Sequence, residues 1–265
     1  MIRESLAKRE AEVRGGFRQR GLGEVSRVEA LSDGIFAIAI TLLVVSLEVP
    51  RTFDDLLVTM RGFVAFAITF AMLFHVWHTQ YRFFRRYGLN DNFTIWMTAL
   101  LLFVVLFYVY PLKFVWTLTV NMMMGLPVDR LAPDGTIEAP IRREQVPQMM
   151  AIFGLGFAAV FTVFTLLYHH AYRKRAELEL NELEIHDTRT QMQDNACNVL
   201  IGLLSILVAY VTRSGLAGLV YWLIGPVQFF NGWLMGKRRK RLEARLAAEE
   251  AGGASVGVER AKHSD

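Results

Sequence analysis

Asp33 lies inside an apolar run, SRVEALSDGIFAIAITLLVVSLEVP over residues 26–50. A carboxylate at mid-membrane depth costs on the order of 2.5–3.5 kcal/mol, so this one needs a partner. The nearest cation in sequence is Arg27, six residues earlier. That spacing is about 240° around a helix, so any link between them runs through another helix or a local break. Beyond Asp33, the residues Ile38, Thr41, Leu42 and Val45 recur at i, i+3, i+4 and i+7 and define one stripe. A packing seam and a pore wall share that pattern. Glu48, one turn past Val45, fits either a carboxylate that concentrates cations at a mouth or one that is simply solvated at the interface. Histidines form the other set with chemical potential: His75 and His78 at i, i+3, and the pair His169 and His170. Imidazoles gathered on one face can bind iron or zinc. Membrane oxygenases use larger H-x-x-H-H sets, however, and no nearby acid completes the sphere in this sequence, so interfacial snorkelling explains these residues better.

The elements that carry these residues are long apolar blocks. The chain has 265 residues, 53% hydrophobic and 20% charged, with a net charge of +4. A bilayer core about 30 Å thick needs roughly 20 apolar residues per helix. Six stretches qualify, at 30–49, 58–80, 93–118, 148–170, 196–212 and 216–235. The expected fold is therefore all-α: a multi-pass membrane protein of six helices, with a basic arm over 1–29, a membrane domain over 30–235 and a basic tail over 236–265. Ser26 and Glu29 fit the S-x-x-E capping box and start the first helix near Arg27. The arm has no apolar run and reads as cytosolic, not as a cleavable signal.

Cation placement sets the orientation. The arm holds seven Lys or Arg, the turn at Arg82, Arg85 and Arg86 three, the linker over 173–189 four and the stretch after Met235 eight, against seven on the opposite side. Both termini are thus expected in the cytosol. The proline-containing segment 121–147 reads as an irregular external loop. The linker AELELNELEIHDTRTQMQ is rich in helix formers and is expected to extend the fourth helix inward. After GKRRKRLEARLAAEE, a Gly/Ser-containing tail is expected to be disordered. Tyr81, Phe83, Phe84, Trp116, Tyr172 and Trp233 read as interfacial anchors.

Composition excludes several classes. One cysteine, Cys197, rules out an internal disulfide framework and a cysteine-rich metal site. The cations flank apolar blocks, so membrane orientation explains them without nucleic acid. No soluble catalytic domain is left over. A secondary transporter is disfavoured because no internal repeat is visible and Pro226 is the one proline read as mid-span.

The string RVEALSDGIFAIAITLLV resembles the R-x-x-x-F-S-D signature that opens the first helix in the transmembrane protein 175 family, endolysosomal potassium channels and their bacterial relatives. Arg27, Ser32 and Asp33 match, with Leu31 in place of Phe. Further likeness lies in the flanking LEVP, Trp77 in the second helix, Asn92 before the third, Pro111 closing it and Pro226 in the sixth. The resemblance implies a potassium-permeable cation channel without enzyme activity or cofactor, a homotetramer whose first helices surround a central pore, in a bacterial plasma membrane. It places the narrowest ring at Ile38, with Thr41 next and Leu42 and Val45 beyond, on the stripe found from spacing. It also implies a network of Arg27, Ser32 and Asp33 with a second-helix histidine, whose place is taken here by Gln80, a side chain that cannot titrate. An apolar ring gives a cation no oxygen to replace its water, so it gates by dewetting. It favours potassium, which holds its water less tightly than sodium.

Overall fold

The first helix begins where its cap predicts. Ser26 Oγ accepts from the backbone N–H of Glu29 at 3.2 Å and donates to the Glu29 carboxylate at 3.2 Å. In the computed structural model, residues 13–14, 17–21, 25–45, 51–125, 130–131, 137–138, 141–213 and 215–262 are described. Their helices are α1 (Arg27–Val45), α2 (Phe53–Arg61), α3 (Phe63–Tyr87), α4 (Asn92–Met123), α5 (Val146–Arg173), α6 (Glu182–Thr212) and α7 (Ile224–Lys262). Short antiparallel hairpins pair β1 (Val13–Arg14) with β2 (Phe17–Arg18) and β3 (Arg130–Leu131) with β4 (Ile137–Glu138). Among the described residues, five helices, α1, α3, α4, α5 and α6, are long and apolar enough to cross a membrane.

The sixth apolar stretch is in place but is not one α-helix. It runs as a 3-10 helix over Gly215–Leu223 and then enters α7. Gly215, Gly218 and Gly225 weaken an α-helical start, and Pro226 sits in the first turn of α7, where its missing N–H is not needed. At about 2.0 Å per 3-10 residue and 1.5 Å per α residue, residues 215–235 reach on the order of 36 Å, enough for a hydrocarbon layer of about 30 Å. Ser205 Oγ of α6 donates to Ala217 O of this stretch at 2.9 Å, and Tyr221 packs edge-on against Phe153 and Phe157 of α5. Pro111 is the proline that lies inside a spanning helix; α4 continues past it to Met123 instead of closing there.

Other boundaries also shift for local reasons. The second apolar stretch breaks at Gly62 into α2 and α3, and α3 continues through Arg82, Arg85 and Arg86 to Tyr87, where Gly88 caps it in the left-handed region. Helical phase then turns Phe83 and Phe84 inward: both are buried in the core, not anchored at an interface. The linker after Arg173 does not extend the fourth helix. It turns over 174–179 and restarts at Asn181, whose side chain accepts from Glu184 N at 2.8 Å while the Glu184 carboxylate accepts from Asn181 N at 3.1 Å. This capping box begins the fifth span well before residue 196. Helix α7 likewise runs through the Gly/Ser-containing tail to Lys262, since extending a helix is far cheaper than nucleating one.

Helices α5 and α6 cross closely at small residues. A Cβ on Gly154 would approach Ile206 Cγ1 to 2.6 Å, and one on Gly202 would meet Gly154 O at 3.2 Å. Residues 17–21 are not a free arm. Phe17 is buried edge-on against Tyr87, and Gly21 N donates to Arg85 O at 3.1 Å while Arg85 Nη1 donates to Gly21 O at 2.8 Å. Only a glycine fits there, because a Cβ on Gly21 would come within 2.3 Å of Phe84 O.

Candidate functional site

Helix α1 packs by one face. Ser32, Phe36, Ala39 and Leu43, at spacings of four, three and four, are buried against α3 and α4. The stripe Ile38, Thr41, Leu42 and Val45 points about 140° away from them. Ile38 is 55% and Val45 71% exposed, Thr41 is exposed and Leu42 half-buried. Thr41 Oγ1 donates to Ala37 O at 2.8 Å, which leaves its oxygen free to accept. Apolar side chains turned outward from a single chain must meet lipid, another copy or a lumen. Glu48 lies outside the described residues.

Two hydrogen bonds from α3 anchor α1. Trp77 Nε1 donates to Asp33 Oδ1 at 2.8 Å, and Gln80 Nε2 donates to Ser32 Oγ at 3.1 Å. Donors three apart on α3 thus meet acceptors one apart on α1. Ser32 Oγ in turn donates to Val28 O at 2.7 Å. Arg27 is not brought to Asp33. It is exposed, and among the described residues it forms no ion pair with that carboxylate, as the 240° phase requires. The partner of Asp33 is therefore an indole N–H. The signal for it was the placement of Trp77 one turn before Gln80. Above Trp77, rings of Phe63, Phe66, Phe70 and Phe74 follow one another along α3, each pair within 6.3 Å.

Asp33→Ala would remove the acceptor of the Trp77 N–H, a hydrogen bond that is exposed in the single chain, at a net loss of about 0.5–1.5 kcal/mol. The expected outcome is a lower thermal midpoint in detergent together with reduced current. Parent-like values of both would show that this carboxylate does not hold α1.

The histidines do not converge. His75, His78 and His169 are exposed, and His170 Nε2 lies 2.6 Å from Asp91 Oδ2, its ring tilted by 31° against Phe93. An acid does therefore accompany one imidazole, where the sequence showed none nearby, but as a hydrogen-bond partner at the N-cap of α4. Lys174 Nζ also reaches Asp91 Oδ2, at 3.4 Å. Burial raises the affinity of the Asp91 carboxyl for its proton, yet hydrogen bonds from Thr94 and His170 outweigh this and hold it well below the usual carboxylate range. Among the described residues, no three His, Cys, Asp or Glu side chains form a group able to hold a metal ion.

The chain is thus a mainly helical membrane fold with an outward apolar stripe on its first helix, which Trp–Asp and Gln–Ser bonds tie to the neighbouring span. The family described as "Endosomal/lysosomal potassium channel TMEM175" matches residues 27–108, from α1 into α4. A protein of Marivirga tractuosa called "Potassium channel" is 37% identical over 229 residues, covering 82% of this chain and 90% of its own length. A potassium channel of Chamaesiphon minutus is 35% identical over 96 residues, 33% of this chain and 47% of that protein. The crystal structure of the potassium channel MtTMEM175, a threonine-to-alanine variant bound to a nanobody–MBP fusion, is 35% identical and superposes with a TM-score of 0.71, covering 85% of this chain and 99% of that one. The chain belongs to the TMEM175 family, an integral, multi-pass channel family and not an enzyme family.

Proposed function

We propose that this protein is a potassium-permeable cation channel in which α1 of each of four copies lines a central pore. Ile38 forms the constriction. Thr41 sets hydroxyl oxygens beside it, Leu42 and Val45 continue the wall, and Glu48 stands at the external mouth. Both termini are cytosolic, and the host membrane is a bacterial plasma membrane. The observation that carries this reading is the outward stripe on α1, which combines apolar side chains with one hydroxyl. Four Ile side chains around an axis leave a partly hydrated ion no oxygen, so the ring conducts only when wetted. The Arg27, Ser32, Asp33 and Gln80 region holds the tilt of α1, with Trp77 added as the donor to Asp33.

The test is passive flux in liposomes, with the number of copies per particle measured in lipid nanodiscs. Down-gradient potassium flux from a four-copy assembly supports the proposal. Flux strictly coupled to a second ion, or a monomer that conducts, would sink it.

The same assay addresses the histidines. Replacing His75, His78, His169 and His170 together by Gln is expected to leave potassium flux within about twofold of the parent, because none of the four lies on α1. Stoichiometric iron or zinc in the purified parent, lost in this variant, would favour a metal-dependent function instead.

A further inference from the structure

We propose that the outward face of α7, where this helix leaves the membrane, holds one anionic phospholipid per copy, its phosphate between Lys237 and Arg241 and its acyl chains along Phe230 and Trp233. Helical phase divides α7 into two faces. Gln228, Asn231, Arg239 and Glu243 share the one turned toward α6. Gln228 Nε2 donates to Asn198 Oδ1 at 3.2 Å, Asn231 Nδ2 to Asp194 Oδ1 at 2.5 Å and Arg239 Nε to Asp187 Oδ1 at 3.1 Å. On the opposite face Phe230, Trp233 and Leu234 are 62%, 49% and 45% exposed, an apolar surface at membrane depth.

The same face continues in cations. Lys237, Arg238, Lys240 and Arg241 are all exposed. Lys240, Lys237 and Arg241 fall within about 100° of one another around the helix, with Arg238 at their edge. Among the described residues none of these four forms an ion pair, although acids lie on the same helix: Glu243 turns to Arg239 and Glu249 to Arg245. The cation on the protein side, Arg239, is neutralised by Asp187, whereas those on the membrane side have no counter-charge from the described chain.

Depth and chemistry identify the occupant. Lys237 Nζ lies 3.5 Å from the centroid of the Trp233 ring. Indoles settle at the headgroup level, so this contact holds the ammonium where lipid phosphates lie. Lys237 and Arg241 are one turn apart, with Cβ atoms about 5–6 Å from each other, a gap that one phosphate closes by accepting from both side chains. A soluble anion would answer the charges and leave the aromatic rings bare. A zwitterionic lipid would bring a further cation to a face that already carries several. A lipid with apolar chains and a net negative headgroup meets both requirements. Helix α7 packs chiefly on α6 and the 3-10 stretch, and the site does not rest on the pore reading.

The experiment is native mass spectrometry of the full chain released from nanodiscs made with equal amounts of phosphatidylglycerol and phosphatidylcholine. The expected result is one phosphatidylglycerol kept per copy, in about twentyfold preference to phosphatidylcholine. Lys237→Gln combined with Arg241→Gln should erase most of that preference, at about fivefold for each cation removed. Arg245→Gln, one turn further from the membrane and paired with Glu249, should leave it within about twofold of the parent. The parent should also show a higher thermal midpoint in phosphatidylglycerol nanodiscs than in phosphatidylcholine ones, and the double variant the same midpoint in both. If the double variant does not fold, Arg241→Gln alone reads the site, by a fall of about fivefold. Equal retention of the two lipids by the parent, a preference untouched by the substitutions, or the same rise in midpoint from free inorganic phosphate overturns the proposal. So does a structure of the assembly with a neighbouring copy seated on this face of α7.

Discussion

Ile38→Asn is expected to raise potassium flux by about tenfold or more and to erase most of the preference for potassium over sodium. Four amides would replace four sec-butyl groups at the proposed constriction. The dry ring then gains donors and acceptors, so the penalty for wetting it falls. A barrier lower by about 1.4 kcal/mol already corresponds to a tenfold rate, and four amide groups at one level supply more than that scale. The oxygens also offer sodium compensation for its tightly held water, which the apolar ring denies it. Thr41→Ala acts differently: the ring stays dry, but the hydroxyl oxygens beside it are gone, so selectivity weakens with little added leak. Ile40 is the internal control. It is half-buried and about 200° around α1 from Ile38, so Asn there should not open the pore. Liposome flux with potassium and with sodium reads all three. An Ile38→Asn protein indistinguishable from the parent would make Ile38 a packing residue and move the pore elsewhere.

The contrast between Ile38 and Ile40 was already present in the periodicity of the sequence, because a helical stripe is a local property. So was the start of α1, since Ser26 and Glu29 are three residues apart and cap the same turn. What could not be read locally came from phase and from distant partners. Arg82, Arg85 and Arg86 look like a cytosolic turn until the helix is extended through them, and that extension is what turns Phe83 and Phe84 into the core. Asn181 and Glu184 carry a capping box that marks a new helix, yet the run around them has the composition of an uninterrupted one. In the sixth stretch, hydropathy shows only that the segment is apolar; Gly215, Gly218, Gly225 and Pro226 decide that it enters as a 3-10 helix. Helical phase alone keeps Arg27 off the face of Asp33 and sends any link through another helix, but which side chain of that helix meets the carboxylate is a matter of packing, and it is the neutral indole of Trp77. The anchoring of residues 17–21 depends on a residue 164 positions away, beyond the reach of any local pattern.

That distant residue is Glu184, and Glu184→Ala is expected to be the most destabilising substitution of a polar side chain in the protein. Its carboxylate is 1% exposed and accepts from Arg20 Nη2 at 2.7 Å, Arg20 Nη1 at 3.1 Å, Arg18 N at 2.7 Å and Asn181 N at 3.1 Å. Arg20 is held further by Leu178 O at 2.7 Å and Glu179 O at 3.1 Å, so its guanidinium stays in place when its counter-charge is removed. Breaking one side of a buried, hydrogen-bonded pair costs about 3–5 kcal/mol, because the remaining charge is left uncompensated. Loss of the capping box adds to this by freeing the first turn of α6. The expected reading is a fall in thermal midpoint on the order of 10 °C. Removing both charges in Arg20→Ala with Glu184→Ala should cost less than the sum of the two single changes, since no stranded ion remains. Arg245→Ala, which breaks an exposed i, i+4 pair with Glu249 on α7, should leave the midpoint unchanged. Because residues 17–21 lead into α1 and are clasped to the end of α3 through Gly21 and Arg85, the same Glu184→Ala protein should also show altered channel opening at temperatures where it remains folded. Additive single and double changes would mean that Arg20 and Glu184 act independently. Unaltered opening would mean that the clasp supports the fold without reaching the first helix.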